Sequence, residues 1–227
     1  VQTLEAKWTE AYNCSVQKLN KLKNTYKVWT DYIDQKSDIQ KLLVQAEAEL
    51  SQVIQKSNPQ QVANELSNKQ EMNEHLNEAT DQMLRKLNNL STNLASLSKP
   101  EKKQLLVREV VDIEKRMQNV IDTVTNKIEF LEKLNIKWVH FTENLTALKK
   151  WLANAQGLLE RLVTLEMNPE DRAAQTQQLQ SNLSEKMAVV LTLEEEGEEL
   201  LDDEPSQDAI QFGADLTSLK STMTTLS

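Results

Sequence analysis

The sequence predicts an all-α protein made of two tandem three-helix bundles that are joined by one continuous helix. Three observations support this prediction. The 227 residues include three Gly and four Pro, apolar residues recur every three or four positions, and one order of landmarks occurs twice. Strands and tight loops need frequent turn residues, whereas long stretches of Leu, Glu, Lys, Gln and Ala favour helices. A chain of this length can form two separate cores.

The clearest predicted helix begins after Pro100 and contains no further Pro, and no Gly before Gly157. Its apolar residues alternate in gaps of three and four, which places them on one stripe of a left-handed coiled coil or bundle. At about 1.5 Å per residue the helix is longer than one small bundle, so we predict that it leaves one bundle and enters the next. The stripe contains Leu106, Val110, Ile113, Met117, Val120, Val124, Leu131, Leu134, Trp138, Phe141, Leu145, Leu148 and Leu152, with Lys127 in one slot.

Four Pro-containing segments predict where the chain folds back. Asn58-Pro59 and Asn168-Pro169 each place an Asn, which can cap a helix, before a Pro in the first helical turn. Pro100 and Pro205 mark the other two turns. The order predicted for each unit is therefore helix, Pro turn, helix, Pro turn, helix.

Landmarks repeat at a nearly fixed offset, as expected for a repeat architecture. Trp29 and Trp138 are 109 residues apart, as are Tyr32 and Phe141. At this offset the first residues of the chain correspond to the helix that joins the two units. We therefore predict three parts: residues 1–24 as the tail of a preceding repeat's last helix or a helical extension, residues 25–133 as one repeat, and residues 134–227 as a second repeat with a truncated last helix.

The second unit contains Trp138-xx-Phe141 followed by Leu148-xx-Trp151-Leu152, and the first contains the weaker form Trp29-xx-Tyr32 followed by Ile39-xx-Leu42-Leu43. This arrangement resembles the spectrin repeat, with Leu42 in place of the Trp most typical of that family. The resemblance implies left-handed three-helix coiled-coil repeats. The residues that it assigns to the structural core are Trp29, Tyr32, Leu42, Trp138, Phe141, Leu148, Trp151 and Leu152.

Within that superfamily, the chain is most similar to the giant cytoskeletal linkers of the nesprin-like branch, with dystrophin-like proteins next. The resemblance implies a rod segment that acts as a spacer, bears tension and offers docking surfaces, linking actin to the nuclear envelope or a membrane. It implies a cytoplasmic, cytoskeleton-associated location, at the nuclear envelope or the muscle sarcomere or membrane through other parts of the protein. The partners implied are cytoskeletal or scaffold proteins and neighbouring repeats of the same chain, with this fragment a monomer.

Several other functions are not predicted. The chain has no basic stripe that could follow a phosphate backbone, so we expect no nucleic-acid binding. It contains no run of about 18 apolar residues, so we expect no membrane insertion. Cys14 is the single cysteine, which favours a reducing environment. His75 and His140 lack companions at zinc-binding spacing, and phosphate-loop and nucleophile motifs are absent. We therefore expect no enzyme activity, no cofactor and no metal.

An acidic run occupies residues 194–204, with eight carboxylates and no basic residue. It fails as an EF-hand because Gln207 stands where Gly is needed and Gly213 where Glu is needed. It is a possible docking surface for a basic partner, and this interpretation belongs to a second hypothesis, that the chain is a specific protein-binding adaptor. The candidate docking residues are Glu194, Glu195, Glu196, Glu198, Glu199, Asp202, Asp203 and Glu204.

A third functional hypothesis is lipid binding by amphipathic helices. The structural alternative to two folded bundles is a parallel coiled-coil dimer.

Overall fold

A computed structural model describes residues 2–54, 56–164, 168–200 and 207–226, and over these residues the chain forms helices joined by short turns, with no strand. The prediction of an all-α fold is confirmed. The five helices are α1 (Gln2–Leu50), α2 (Pro59–Leu97), α3 (Pro100–Thr164), α4 (Pro169–Leu200) and α5 (Gln207–Leu226).

Three helices begin at the prolines that the sequence singled out, Pro59, Pro100 and Pro169. A proline is tolerated there because the first turn of a helix has no intrahelical partner for its N–H. Asn58 caps α2, since its side-chain oxygen accepts a hydrogen bond from the Gln61 N–H at 2.9 Å. The fourth predicted turn, at Pro205, lies outside the described residues.

The chain divides into two compact units. Unit 1 contains residues 1–52 and 69–127, and unit 2 contains residues 53–68 and 128–227. Helix α3 runs without interruption from Pro100 to Thr164 and so contributes to both units. The assignment of residues 53–68 to unit 2 is not indicated by the heptad pattern. The repeat boundaries at residues 24 and 133 stay a prediction.

Each unit has its own apolar core. In unit 1 the buried side chains come from α1, α2 and the first part of α3, and in unit 2 from residues 53–68, the rest of α3, α4 and α5. Those of unit 1 include Tyr32, Ile39, Leu43, Leu76, Leu87, Leu94, Leu106, Val110, Met117, Val120 and Val124. Those of unit 2 include Val62, Leu131, Trp138, Phe141, Leu145, Leu148, Leu183, Val190, Leu193, Leu200, Leu216, Leu219 and Met223.

The carboxyl end of α1 is stabilised by lysines from two other helices. The last turn of α1 has no basic residue of its own. Lys127 of α3 donates to the Leu50 carbonyl, and Lys69 of α2 donates to the Glu49 carbonyl at 3.4 Å. Cations are favourable at a helix carboxyl end because the last carbonyls lack intrahelical partners and carry partial negative charge. This contact explains why Lys127 occupies a slot of the apolar stripe.

Candidate functional site

The predicted structural-core residues divide into three groups by burial. Tyr32, Trp138, Phe141, Leu148 and Leu152 are buried. Leu42 and Trp151 are half-buried. Trp29 is 42% exposed, so its assignment to the core is wrong. The buried position at this level of α1 is Tyr32, one helical turn further on, against which the Trp29 ring stacks with centroids 6.0 Å apart.

Trp138 differs from Trp29 because the turn before α2 covers it. Its indole N–H donates to the Lys56 carbonyl at 2.9 Å, and the side chain is only 1% exposed. Its ring also meets Phe141 and Phe212, each with centroids 5.8 Å away. A buried indole N–H needs an acceptor, and the turn supplies one without interrupting the apolar packing.

The same turn has further contacts inside unit 2. The Asn58 side-chain amide donates to Oδ2 of Asp208, at the start of α5, at 3.2 Å. The Lys56 ammonium lies over the Phe130 ring, 5.9 Å from its centroid, within the range of a cation–π contact. Residues 56–58 therefore connect the start of α2 with α3 and α5. Sequence reasoning identified Asn58-Pro59 as a turn but did not indicate that the turn would pack on Trp138.

The amino-terminal part of α1 presents a stripe of exposed apolar side chains, which we call the α1 stripe. Its residues are spaced by three or four positions, as in a coiled coil, yet they are 37–75% exposed. The Trp8 and Tyr12 rings are 5.7 Å apart on this surface. Exposed apolar side chains in a row at helical spacing are the pattern expected of a surface that packs against another element. The α1 stripe consists of Leu4, Trp8, Tyr12, Val16, Leu19, Leu22, Tyr26 and Trp29.

The described part of the acidic run, on α4, is largely paired with basic residues of unit 2. Both carboxylate oxygens of Glu194 accept from Lys220 at 2.8 Å. Glu199 pairs with Lys137, and Oε2 of Glu196 lies 3.2 Å from Nδ1 of His140. Because these carboxylates already have partners, less of the negative field than the sequence suggests is available to another protein.

Glu195 and Glu198 are exposed, and among the described carboxylates of the run they are the ones that indicate a docking surface. The remaining candidates, Asp202, Asp203 and Glu204, lie outside the described residues. The docking role of the run stays a prediction.

A polar cluster lies beside the core of unit 1. The Tyr32 hydroxyl donates to Oε2 of Glu109 at 3.0 Å, and the Lys36 ammonium donates to the same oxygen at 2.9 Å. The bond from Lys36, followed by that from Tyr32, lowers the pKa of Glu109 below its ordinary value. Burial, followed by the carboxylate of Glu109, raises the pKa of Tyr32. The cluster has the character of a structural contact, because its tyrosine is enclosed.

The described part of the chain contains neither a metal-binding cluster nor a membrane-spanning helix. Over those residues, no group of three or more His, Cys, Asp or Glu side chains could hold a metal ion. No described helix is long and apolar enough to cross a membrane. Cys14 is exposed on α1 as a free thiol.

Among known proteins, the chain is similar to a segment of a giant muscle protein. It is 33% identical over 202 residues to the Muscle-specific protein 300 kDa of Drosophila melanogaster. The match covers 88% of this chain but only 2% of that protein's length. No protein-family model matches the sequence, and no solved structure matches it.

Proposed function

We propose that this chain is a structural spacer within a very large muscle or cytoskeletal protein, built from two spectrin-type repeats. The observation that carries the proposal is helix α3, whose 65 residues belong partly to unit 1 and partly to unit 2. Because one unbroken helix contributes side chains to both cores, a load on one unit reaches the other through helical backbone and not through a flexible linker. The similarity to a segment of a muscle protein supports the same function.

The proposal extends to the setting of the parent protein. The Trp138-xx-Phe141 and Leu148-xx-Trp151-Leu152 motifs support a nesprin-like linker between actin and the nuclear envelope or a membrane. In such a protein the chain would act as a spacer and tension-bearing element, at the cytoskeleton of muscle, with other proteins and neighbouring repeats as its partners. It would need no cofactor and would catalyse no reaction.

The experiment that tests the spacer function compares two variants at the middle of α3. In a repeat array, stability is approximately a sum of unit and junction terms, so cutting the junction separates the unfolding of the units. Ile128→Pro removes a backbone donor and clashes with the preceding turn, whereas Ile128→Ala keeps the helix and shortens the same half-buried side chain.

By differential scanning calorimetry, we expect a single transition for the wild-type chain and for Ile128→Ala, and two transitions for Ile128→Pro. If Ile128→Pro also unfolds in one unchanged transition, α3 does not couple the units and the spacer function fails. Two transitions in the wild-type chain would contradict the proposal equally.

A further inference from the structure

We propose that a groove between α2 and α3 of unit 1 binds an acidic amphipathic helix of another protein, whose apolar side chains lie on the floor of the groove and whose carboxylate pairs with Lys103 at one end. We call this surface the α2–α3 groove. The inference rests on the proposed function in that a spacer has partner proteins, and it names a surface and a chemistry for one of them. The walls of the groove include Ser91 and Ala95 of α2 and Lys103, Val107, Val111 and Glu114 of α3.

The α2–α3 groove is open because the residues of α2 that line it are small. Serine, threonine and alanine form its α2 side between residues 91 and 96, and their short side chains leave space beside α3. The groove has a volume of about 280 Å³. A pocket that encloses a whole small molecule typically has about 300–1,000 Å³, so this groove fits a few side chains of a partner better than a free ligand.

The floor of the groove is apolar and partly open to solvent. Val107 is 50% exposed and Val111 is 39% exposed, and both line the groove together with the buried Ala95. Val107 and Val111 are four positions apart, so they are neighbours on one face of α3. A helix that lies along the groove can place apolar side chains against this floor at the same spacing.

A nearly enclosed hydroxyl lines the same groove. Ser91 is 5% exposed. Among the described residues no hydrogen bond of its hydroxyl is found, whereas the hydroxyl of Ser96 donates to the Asn93 carbonyl at 2.7 Å. A polar group that is shielded from water without a partner costs free energy. A polar atom of a docked helix can accept a hydrogen bond from the Ser91 hydroxyl and remove that cost.

The part of unit 1 that carries the groove is basic, in a chain whose net charge is −9. Residues 82–108 contain six basic residues and one acidic residue. The start of α3, which lies in this range, adds partial positive charge from its unpaired N–H groups. The basic residues are Arg85, Lys86, Lys99, Lys102, Lys103 and Arg108, and the acidic one is Glu101.

The two ends of the groove differ in charge. Over the described residues, Lys103 and the nearby Lys99 and Lys102 make no ion pair. At the other end, Glu114 already accepts a hydrogen bond from the Asn88 side-chain amide at 2.7 Å. Charge complementarity therefore selects an acidic partner and places its carboxylate at the Lys103 end.

A second copy of this chain is a poorer match than another protein. Its acidic helix is α4, but the apolar face of that helix is buried, with Leu193 and Leu200 each 1% exposed. Glu194 of the same helix already pairs with Lys220. A second copy could offer this face of α4 only by opening unit 2, whereas a separate acidic helix loses no contacts of this kind when it docks.

The test uses three fluorescently labelled peptides and the complete 227-residue chain. The probe is the acetylated and amidated peptide LEELLEELLEEL, which combines leucines at helical spacing with glutamates and has no basic residue. One control replaces every glutamate with lysine, and the other replaces every leucine with serine. Binding is measured by fluorescence anisotropy, and NMR shifts of the backbone amides locate the peptide on the chain.

We expect the acidic leucine peptide to bind saturably, with shifts at residues 91–96 and 103–114, and both control peptides to bind roughly tenfold or more weakly. Lys103→Glu should weaken binding roughly tenfold or more, because it removes a charge-assisted contact and adds a repulsive charge. Lys115→Glu makes the same charge change at an exposed lysine of α3 outside the groove, and it should change the affinity less than about twofold.

The floor is tested separately from the charge. Val107→Ser removes apolar surface from the groove and should weaken binding, whereas Leu105→Ser, at a residue of α3 that is 59% exposed and lies outside the groove, should not. If circular dichroism shows that Lys103→Glu does not fold, Lys103→Gln is compared with Lys115→Gln in the same assay.

No saturable binding of the acidic leucine peptide would overturn the proposal. Equal losses for the variants at Lys103 and Lys115, or equal binding of the serine peptide, would overturn it in favour of general attraction between charges. A dimer of the chain in analytical ultracentrifugation that the peptide dissociates would overturn it in favour of a second copy. The calorimetric comparison at Ile128 does not involve the groove, so failure of the groove and failure of the spacer function are distinguishable.

Discussion

The Tyr32 hydroxyl of α1 donates a hydrogen bond to the Glu109 carboxylate of α3 across 3.0 Å. The two residues are 77 positions apart in the sequence, and the Lys36 ammonium bonds to the same carboxylate oxygen. The contact fixes the register of α1 against α3 beside the core of unit 1. Heptad spacing alone does not determine that register, because a shift by a whole heptad preserves the apolar stripe.

Stability should depend on the ionisation of Glu109. The pKa of this carboxyl is lower in the folded state than its ordinary value of 4.5. Its ionised form therefore stabilises the fold fully at pH values above 4.5, and this stabilisation is lost as the pH falls through the lowered pKa. We expect Glu109→Gln to reduce the free energy of unfolding by about 1 kcal/mol at pH 7, through weakened hydrogen bonds. Urea unfolding should show that this difference shrinks as the pH is lowered toward 3.

The matched control is Asp38→Asn, which removes an exposed ion pair between Asp38 and Lys41, both on α1. Such surface pairs contribute little, so we expect a change below about 0.5 kcal/mol. A Glu109→Gln effect that stays constant between pH 7 and pH 3 would contradict the assignment of the effect to the carboxylate's charge.

Lys127 of α3, which bonds to the carboxyl end of α1, should contribute more to stability than an exposed lysine of α3. Lys127→Met keeps the aliphatic stem but removes the donor to the Leu50 carbonyl, so we expect a loss of about 1–3 kcal/mol in the free energy of unfolding. Lys133→Met changes an exposed lysine of the same helix and should have little effect. Equal denaturation midpoints for the two variants would show that the carbonyl contact does not stabilise the fold.

The hydroxyl of Thr80 on α2 is buried, and no hydrogen-bond partner is found for it among the described residues. An unsatisfied buried polar group costs free energy, while valine has nearly the same shape without the hydroxyl. We expect Thr80→Val to raise the free energy of unfolding by about 1 kcal/mol. Thr92→Val, on an exposed position of α2, is the control. A loss of stability in Thr80→Val, measured by chemical denaturation, would indicate that the hydroxyl is satisfied in solution.

The two equivalent tryptophans should respond differently to truncation. Trp138 fills a core position that is 1% exposed, so Trp138→Ala should cost about 3–5 kcal/mol in the free energy of unfolding. Trp29 is 42% exposed and has its main described contact with Tyr32, so Trp29→Ala should cost about 1 kcal/mol or less. Similar losses for both variants in guanidinium denaturation would show that Trp29 is buried in the free chain.

The sequence predicted the helices well because their signals are local. The Asn58 cap precedes Pro59 as expected, and the stripe from Leu106 to Leu152 is largely buried. The exposure of Trp29 could not be predicted in the same way, since its position in the heptad pattern is the same as that of the buried Trp138. The difference arises from the turn at Lys56, which is 82 positions away from Trp138 and accepts its indole N–H. Among the described residues no such contact is made by Trp29, which is 42% exposed.

The candidate site was harder to predict than the helices. The acidic run appeared from its composition to be an open negative surface, but Lys137 and Lys220 pair with two of its carboxylates through side chains far away in sequence. The role of Lys127 in binding the carboxyl end of α1 could not be predicted either. A lysine in an apolar stripe looks unfavourable until its acceptor, the Leu50 carbonyl, is known. Contacts of this kind depend on tertiary packing, which spacing does not encode.

The central claim is that α3 is one continuous helix common to both units. Native-state hydrogen exchange of the backbone amides of residues 122–134 tests it most directly, because exchange reports local opening of α3 between residue 127 of unit 1 and residue 128 of unit 2. If α3 is a load-transmitting helix common to both units, these amides should exchange as slowly as those of residues 110–120 and 138–148. Rapid exchange around Ile128, at the rate of an unprotected amide, would mean that the helix opens between the units and would contradict the account.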